Sequence, residues 1–363
     1  MTWTQPVLLG FDICQDEGGA SGFHELTTQV AHRHGSSRSD RCNLRAPSSH
    51  FLLQKERVPM DFDSTRQGLS EHVVAVPTTI WQAVGQLDIA ANVSNAQFLF
   101  EHGVTTGVFA GGVGEHDRLT PDQQIELLTA IGQAAREAGS AICLGTGLGR
   151  TLERVKEVTP ALAEVGVSWA MLMPSGADDP EEQFDYFNQV IPVLRDHGVW
   201  PVLYPRPEQP MPVAIIERLF DAYQIPAVKL ANNGMLLNYA EMVERLGHDR
   251  SAWLCGTAGW WMPAYHGVGA ARGMSSGIVD AFPDKPLALL KRILDGSFVP
   301  DADYWTMVRI EQIRQREKSY IALVIKHLQS LVGLKGGMNG DGAELPDAEK
   351  AEVEKLVRDA GWL

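Results

Sequence analysis

Three things are scarce in this 363-residue chain, and each scarcity excludes a class of protein. Basic residues are outnumbered: 31 Lys and Arg against 45 Asp and Glu leave a formal charge of −14. That balance argues against a nucleic-acid backbone as partner. Cysteine is sparse. Cys14, Cys42, Cys143 and Cys255 include no C-x-x-C spacing, so neither a zinc site nor a disulfide framework is indicated. Cys143 and Cys255 lie in apolar runs and read as plain core residues. Long apolar runs are missing too. No stretch reaches the length of a membrane span, and the N-terminus lacks the basic-then-apolar layout of a signal peptide. The whole is compatible with a soluble, cytoplasmic enzyme without selecting one.

Two motifs are also missing. The segment GTGLGR (145–150) ends in arginine, so it fails the G-x-G-x-x-G template of dinucleotide sites and reads as a strand-end turn. The histidines show no H-x-x-x-H spacing, and His116 reads as a surface residue.

The first 59 residues differ from the rest. They hold six Lys/Arg and six Asp/Glu, so the net negative charge falls entirely on residues 60–363. The run HRHGSSRSDRCNLRAPSSH has neither helical nor strand period and reads as a disordered extension. Its His32, His34, Cys42 and His50 are conceivable metal ligands, but the composition favours an unstructured segment. Met60 opens what looks like an independent domain, with residues 1–59 an extension or an upstream mis-assignment of the start.

From residue 73 the chain alternates. Apolar runs of strand length recur at 73–77, 104–110, 141–145, 168–173, 199–204, 226–230, 252–255 and 273–278, with helical patterns between them. In the clearest helix, Thr120 suits the N-cap, Pro121 the first turn and Gln123 a capping box. Ile125, Leu128 and Ile131 line one face, and Gly139 suits the stop. Eight such strands predict an α/β (β/α)8 TIM barrel over residues 60–299, with a doubly wound open sheet as the alternative. Residues 300–363 read as a helical segment packed on the barrel: a long amphipathic stretch, VRIEQIRQREKSYIALVIKHLQSLVGL, then a loop and the stretch DAEKAEVEKLVRDAG.

One strand carries an awkward charge. In IPAVKLANNG (225–234), Lys229 sits in an apolar run, where an unpartnered ammonium is expensive. Parity puts it on the face of Ala227, and Tyr204 on the face of Val202 one strand earlier. If these faces point inward, an amine and a phenol meet at the C-terminal rim, where barrel chemistry sits. An apolar pocket pushes a lysine toward its neutral, nucleophilic form, and a tyrosine hydroxyl can move protons. The bland alternatives are a lysine whose head reaches water and an amphipathic core tyrosine. A third piece, Gly111-Gly112-Val113-Gly114, follows a strand and precedes the capped helix. Such a turn can aim N–H groups at a carboxylate, or can simply be tight.

Together these pieces resemble the dihydrodipicolinate synthase / N-acetylneuraminate lyase family of class I Schiff-base lyases, from about residue 72 onward. The family's G-T-T-G-E motif and leucine-threonine-proline helix start look like 111–115 and Leu119-Thr120-Pro121. Its strand-five tyrosine falls on Tyr204 and its strand-six Schiff-base lysine on Lys229. Gly112 and Val113 stand where family members carry hydroxyls. The synthase arginine five residues past the tyrosine is Gln209 here, and its aromatic pair after Pro174 is Ser175-Gly176. The branch of 5-dehydro-4-deoxyglucarate dehydratase is more similar: it has a glycine in the place of Gly112 and an arginine in the place of Arg206. Ser275 and Ser276, in a strand-eight segment like that branch's, are candidates for a polyhydroxylated substrate. Asn232 and Asn233 are others, with turn and cap chemistry as the alternative.

The resemblance implies a lyase that forms an imine on Lys229 with a small 2-oxo acid, with Tyr204 moving protons and the 111–114 turn holding the carboxylate. It implies no cofactor and no metal, and a homo-oligomer, often a tetramer. The reaction is then aldol cleavage, condensation or dehydration of a sugar-acid-like substrate. A pyruvate-using synthase and a catalytically inert ligand-binding barrel are the alternatives.

Overall fold

The eight apolar runs become eight parallel strands that close on themselves in the computed structural model, which describes residues 60–139, 142–208 and 210–363. The expectations for residues 1–59, their conceivable metal ligands included, lie outside the described residues, as does Gln209. The strands are β1 Val73–Ala75, β2 Thr106–Phe109, β3 Cys143–Gly147, β4 Trp169–Leu172, β5 Trp200–Leu203, β6 Ala227–Leu230, β7 Ala252–Cys255 and β8 Gly273–Ser276. Each pairs with its sequence neighbours, and β8 closes on β1 through Val73–Met274, Val74–Ser275 and Ala75–Ser276. This is the expected (β/α)8 barrel, not an open sheet.

Side chains alternate along each strand, so the strands serve two cores. One lies inside the barrel and includes Val74, Val108, Trp169, Met171, Val202, Ala227 and Leu254. The other lies between the strands and the surrounding helices. The N-terminal end of the barrel is closed by helix α1 (Phe62–Leu69). Leu69 joins the interior core, Phe62 meets the Trp200 ring edge-on at 5.5 Å, and Trp200 Nε1 donates to the Met60 carbonyl at 2.7 Å.

Between strands run α2 (Ile89–Glu101), α3 (Pro121–Glu137), α4 (Leu152–Val165), α5 (Pro180–Asp196), α6 (Val213–Ala222), α7 (Leu236–Leu246), α8 (Met262–Gly267) and α9 (Asp284–Leu294). A hairpin, Trp81–Ala83 with Gln86–Leu87, precedes α2. Helix α3 has the expected capping box: Thr120 accepts from the Gln123 N–H and Gln123 accepts from the Thr120 N–H. Leu128 and Ile131 are buried, Ile125 packs part-buried beside them, and Gly139 takes a left-handed φ of 67° at the stop.

Two expectations need correction. Gly145-Thr146-Gly147 is not a turn but the last part of β3. A side chain at Gly145 would put its Cβ 2.1 Å from the Trp169 ring, so glycine here makes room for an indole from the next strand. The long C-terminal stretch is not one helix. It breaks between α10 (Ala302–Arg314) and α11 (Tyr320–Leu331), where the buried Arg314 turns back to donate twice to the Ile321 carbonyl at 2.8 and 2.9 Å. A loop then leads to α12 (Asp347–Asp359).

Candidate active site

Lys229 lies inside the barrel at the C-terminal end of β6, on the face of Ala227 as parity requires, and is 7% exposed. Its stem has space because residue 256 is glycine: a Cβ there would approach Lys229 Cγ to 2.8 Å and the Leu230 carbonyl to 2.9 Å. No carboxylate pairs with the amine among the described residues. Its close neighbour is Tyr204, one residue past β5, whose ring centroid is 4.3 Å from Nζ. The Tyr204 N–H continues the ladder to the Leu172 carbonyl at 2.9 Å, so sheet geometry fixes where its ring stands. The amine and the phenol thus meet as expected.

Arg206 follows on the same rim. Its guanidinium is 5.6 Å from the Tyr204 ring, with Nε 3.2 Å from the carboxylate of the exposed Glu208. On β8 the two serines part company. Ser275 pairs with Val74 and faces the interior, with its hydroxyl 3.5 Å from the Cys255 carbonyl. Ser276 pairs with Ala75, on the face turned to the helices, so it does not share the mouth with Lys229. The two asparagines are engaged locally. Asn232 Oδ1 accepts from the Gly234 N–H at 3.1 Å, and Asn233 Oδ1 accepts from Thr257 at 3.1 Å and Tyr265 at 3.2 Å.

The glycine turn after β2 reaches the same mouth. Val113 packs against the interior core, as Tyr204 does. Gly112 is exposed, and a Cβ on it would meet nothing within 4 Å. Among the described residues no backbone hydrogen bond takes up the N–H of Gly112 or Val113. Gly111 and Gly114 are packed tightly: a Cβ on Gly114 would lie 2.9 Å from the Pro77 carbonyl, and Thr79 donates to the Gly114 carbonyl at 2.6 Å. The turn is bracketed by Ala110 at φ 50° and Glu115 at φ 55°, both left-handed and neither a glycine.

Glu115 is 4% exposed and its carboxylate is fully engaged. Oε2 accepts from Lys326 Nζ at 2.7 Å and Trp81 Nε1 at 2.8 Å, and Oε1 from the Gly340 N–H at 3.1 Å and Arg118 at 3.2 Å. Lys326, on α11, is 0% exposed. Burial lowers its pKa, and the charge of Glu115 opposes that shift. The sequence reading missed Lys326. The signal was available, since a lysine inside IALVIKHL is as anomalous as one inside IPAVKL.

His116 was expected at the surface and is instead 6% exposed, folded under the turn with Nε2 2.9 Å from Asp117 Oδ1. Its contact with Asp117 holds that carboxyl down at about 2, with Arg150 and Lys318 adding smaller attractions. Behind the rim, the Asp280 carboxyl is buried in the turn after β8 and accepts from the Thr78 N–H at 3.2 Å. Burial pushes it up to about 8, against the pull of that N–H and of Arg314. A side cavity of about 190 Å³, lined by Asp178, Gln183, Glu208, Asn232 and Tyr239 among others, opens beside the mouth but does not include Lys229 or Tyr204. Cys143 and Cys255 are buried free thiols. The described residues hold no cluster of three or more His, Cys, Asp or Glu able to bind a metal, and no helix long and apolar enough to cross a membrane.

A closed parallel barrel carrying a buried amine beside a phenol at its C-terminal rim is an arrangement that class I aldolase-type lyases use. The model of the dihydrodipicolinate synthetase family matches residues 69–358, and the chain belongs to that family. It is accordingly a lyase of the class I aldolase type. A probable 5-dehydro-4-deoxyglucarate dehydratase of Bacillus licheniformis is 25% identical over 268 residues, covering 73% of this chain and 85% of that protein. The crystal structure of dihydrodipicolinate synthase from Oceanobacillus iheyensis superposes with a TM-score of 0.74 at 19% identity, over 84% of this chain and 100% of the other. A catalytic-lysine mutant of the sialic acid aldolase of Ruminococcus gnavus superposes at 0.69 with 14% identity, over 80% of this chain and 96% of the other.

Proposed function

We propose that the protein dehydrates a sugar-acid-like 2-oxo acid through an imine on Lys229, in the manner of 5-dehydro-4-deoxyglucarate dehydratase. One observation carries the reading: a buried amine with no carboxylate partner among the described residues stands 4.3 Å from the ring of Tyr204 at the barrel mouth. Such an amine attacks the substrate ketone, forming a C–N bond while a proton moves to the oxygen. Water leaves the carbinolamine and an iminium remains. The iminium withdraws electrons, so a proton is lost from the adjacent carbon to give an enamine. The enamine then expels a hydroxyl from the next carbon, with a proton, as water. Hydrolysis of the resulting imine frees the product and the lysine.

In this reading Tyr204 relays the protons of carbinolamine formation and breakdown. The N–H groups of Gly112 and Val113, with Gly111 and Gly114 shaping the turn, receive the C1 carboxylate. Arg206 faces a second anionic group, and the Ser275 hydroxyl faces a substrate hydroxyl. Ser276, turned away, is given no role. No metal or cofactor enters any step.

The test is borohydride trapping with a panel of 2-oxo acids, pyruvate included, read by intact mass. The expected result is a stable adduct on the wild type and none on Lys229→Met. Product analysis then separates dehydration from aldol chemistry. Condensation of pyruvate with an aldehyde would favour a synthase, and no adduct with any keto acid would favour an inert binder.

A further inference from the structure

Behind the glycine turn lies an ion pair that the chemistry above does not use, and we propose that Glu115 and Lys326 form a positioning clamp that sets the site's affinity for the substrate carboxylate. The inference rests on the reading that the 111–114 turn receives that carboxylate. Its first support is backbone conformation. Ala110 and Glu115 hold left-handed φ angles of 50° and 55° on either side of the turn. Non-glycine residues persist there only where the surroundings over-determine them. The Glu115 carboxylate supplies that determination, because its four donors come from four places: α11, the hairpin, the loop before α12 and the short turn after Glu115 itself.

The second support is charge. A carboxylate directly behind an anion-binding turn repels the anion unless it is neutralised. Lys326 neutralises it at 2.7 Å, and is itself held by the Met338 carbonyl at 2.7 Å and Asn339 Oδ1 at 3.2 Å. The ammonium's three donors are therefore satisfied, with none left for substrate. Lys326 acts on the site only through Glu115 and the turn. The C-terminal helices thereby help to set the affinity of a site whose reactive groups lie at the ends of strands β5 and β6.

Two variants test the clamp. Lys326→Met leaves Glu115 buried with only Arg118 as a counter-charge. The double variant Glu115→Gln/Lys326→Met leaves no lone buried charge and protects against simple failure to fold. The readout is the second-order rate of borohydride-trapped adduct formation with pyruvate and with hydroxyacetone, a ketone without a carboxylate. Both variants are expected to lower the pyruvate rate at least tenfold and the hydroxyacetone rate less than twofold. Equal losses with the two ketones, or an unchanged ratio, overturn the clamp while the wild-type adduct upholds the Schiff-base reading. No adduct on the wild type with either ketone removes that reading, and the clamp with it.

Discussion

Among the described residues two lysines are buried, and the protein treats them in opposite ways. Lys326 is enclosed by a carboxylate, a carbonyl and an amide oxygen, each within hydrogen-bond reach. Lys229 has an aromatic face at 4.3 Å and no ionic partner among the described residues. A paired ammonium is fixed and chemically silent. An unpaired one is costly to bury but free to react. The difference separates a residue that maintains shape from one that does chemistry.

That contrast can be broken most sharply by giving both lysines the same substitution. Lys229→Met is expected to abolish turnover and the trapped adduct without lowering the thermal midpoint, because no ion pair is lost. A midpoint lowered as far as that of Lys326→Met would remove the distinction. Tyr204→Phe comes next, with a fall in turnover of about 10²-fold or more, as expected for loss of a proton relay. The adduct should still form slowly, and unchanged turnover would remove the phenol from the mechanism. Lys326→Met is expected to cost about 3–5 kcal/mol in denaturant unfolding, since it strands Glu115.

Gly256→Ala sharpens the contrast from the other side. Its Cβ would stand 2.8 Å from Lys229 Cγ and must displace either the stem or the Leu230 backbone. A shift of the amine by a fraction of an ångström should lower turnover about tenfold or more. Overpacking should cost about 1–3 kcal/mol. A kinetically silent variant would mean that the lysine position is not under such control.

The last prediction concerns a buried carboxyl behind the rim. Asp280 keeps its proton up to about 8 in the folded state, while the unfolded carboxyl titrates near 3.8. Between these values the folded state binds the extra proton, so stability falls as pH rises through the window and levels off above it. The groups facing this carboxyl are the Thr78 N–H and Arg314, and Arg314 is already paired with Glu311 at 2.6 Å. Asp280→Asn should therefore stabilise the protein more at pH 9 than at pH 5, read as thermal midpoints. An equal change at both pH values would show that the proton does not matter.

The strands were legible because each is a short apolar run closed by turn residues, and parity put Lys229 and Tyr204 on faces that meet if both point inward. What escaped depends on partners distant in sequence. Gly145 and Gly147 look like turn residues, yet β3 continues through them: an indole from β4 needs the space at Gly145, and the Ala110 carbonyl approaches Gly147. Residues 315–319 have the helix propensity to join α10 to α11, but Arg314 turns back onto Ile321 and the chain bends there. Glu115 is held through Trp81, Lys326 and Gly340, which no local spacing connects to it. Ser275 and Ser276 were treated alike, although one residue of register sends them to opposite faces.

Gly112 carries a further consequence. It has an ordinary backbone conformation and open space where a side chain would go. Glycine is therefore not required there by packing, and its lack of a hydroxyl is a chemical property of the site, not a steric necessity. A single substitution such as Gly112→Thr would add a proton donor and acceptor, on a Cβ that meets no neighbour within 4 Å. The position is thus a vacant socket, through which one barrel could be moved between proton-relay schemes while its amine, its phenol and its fold stay as they are.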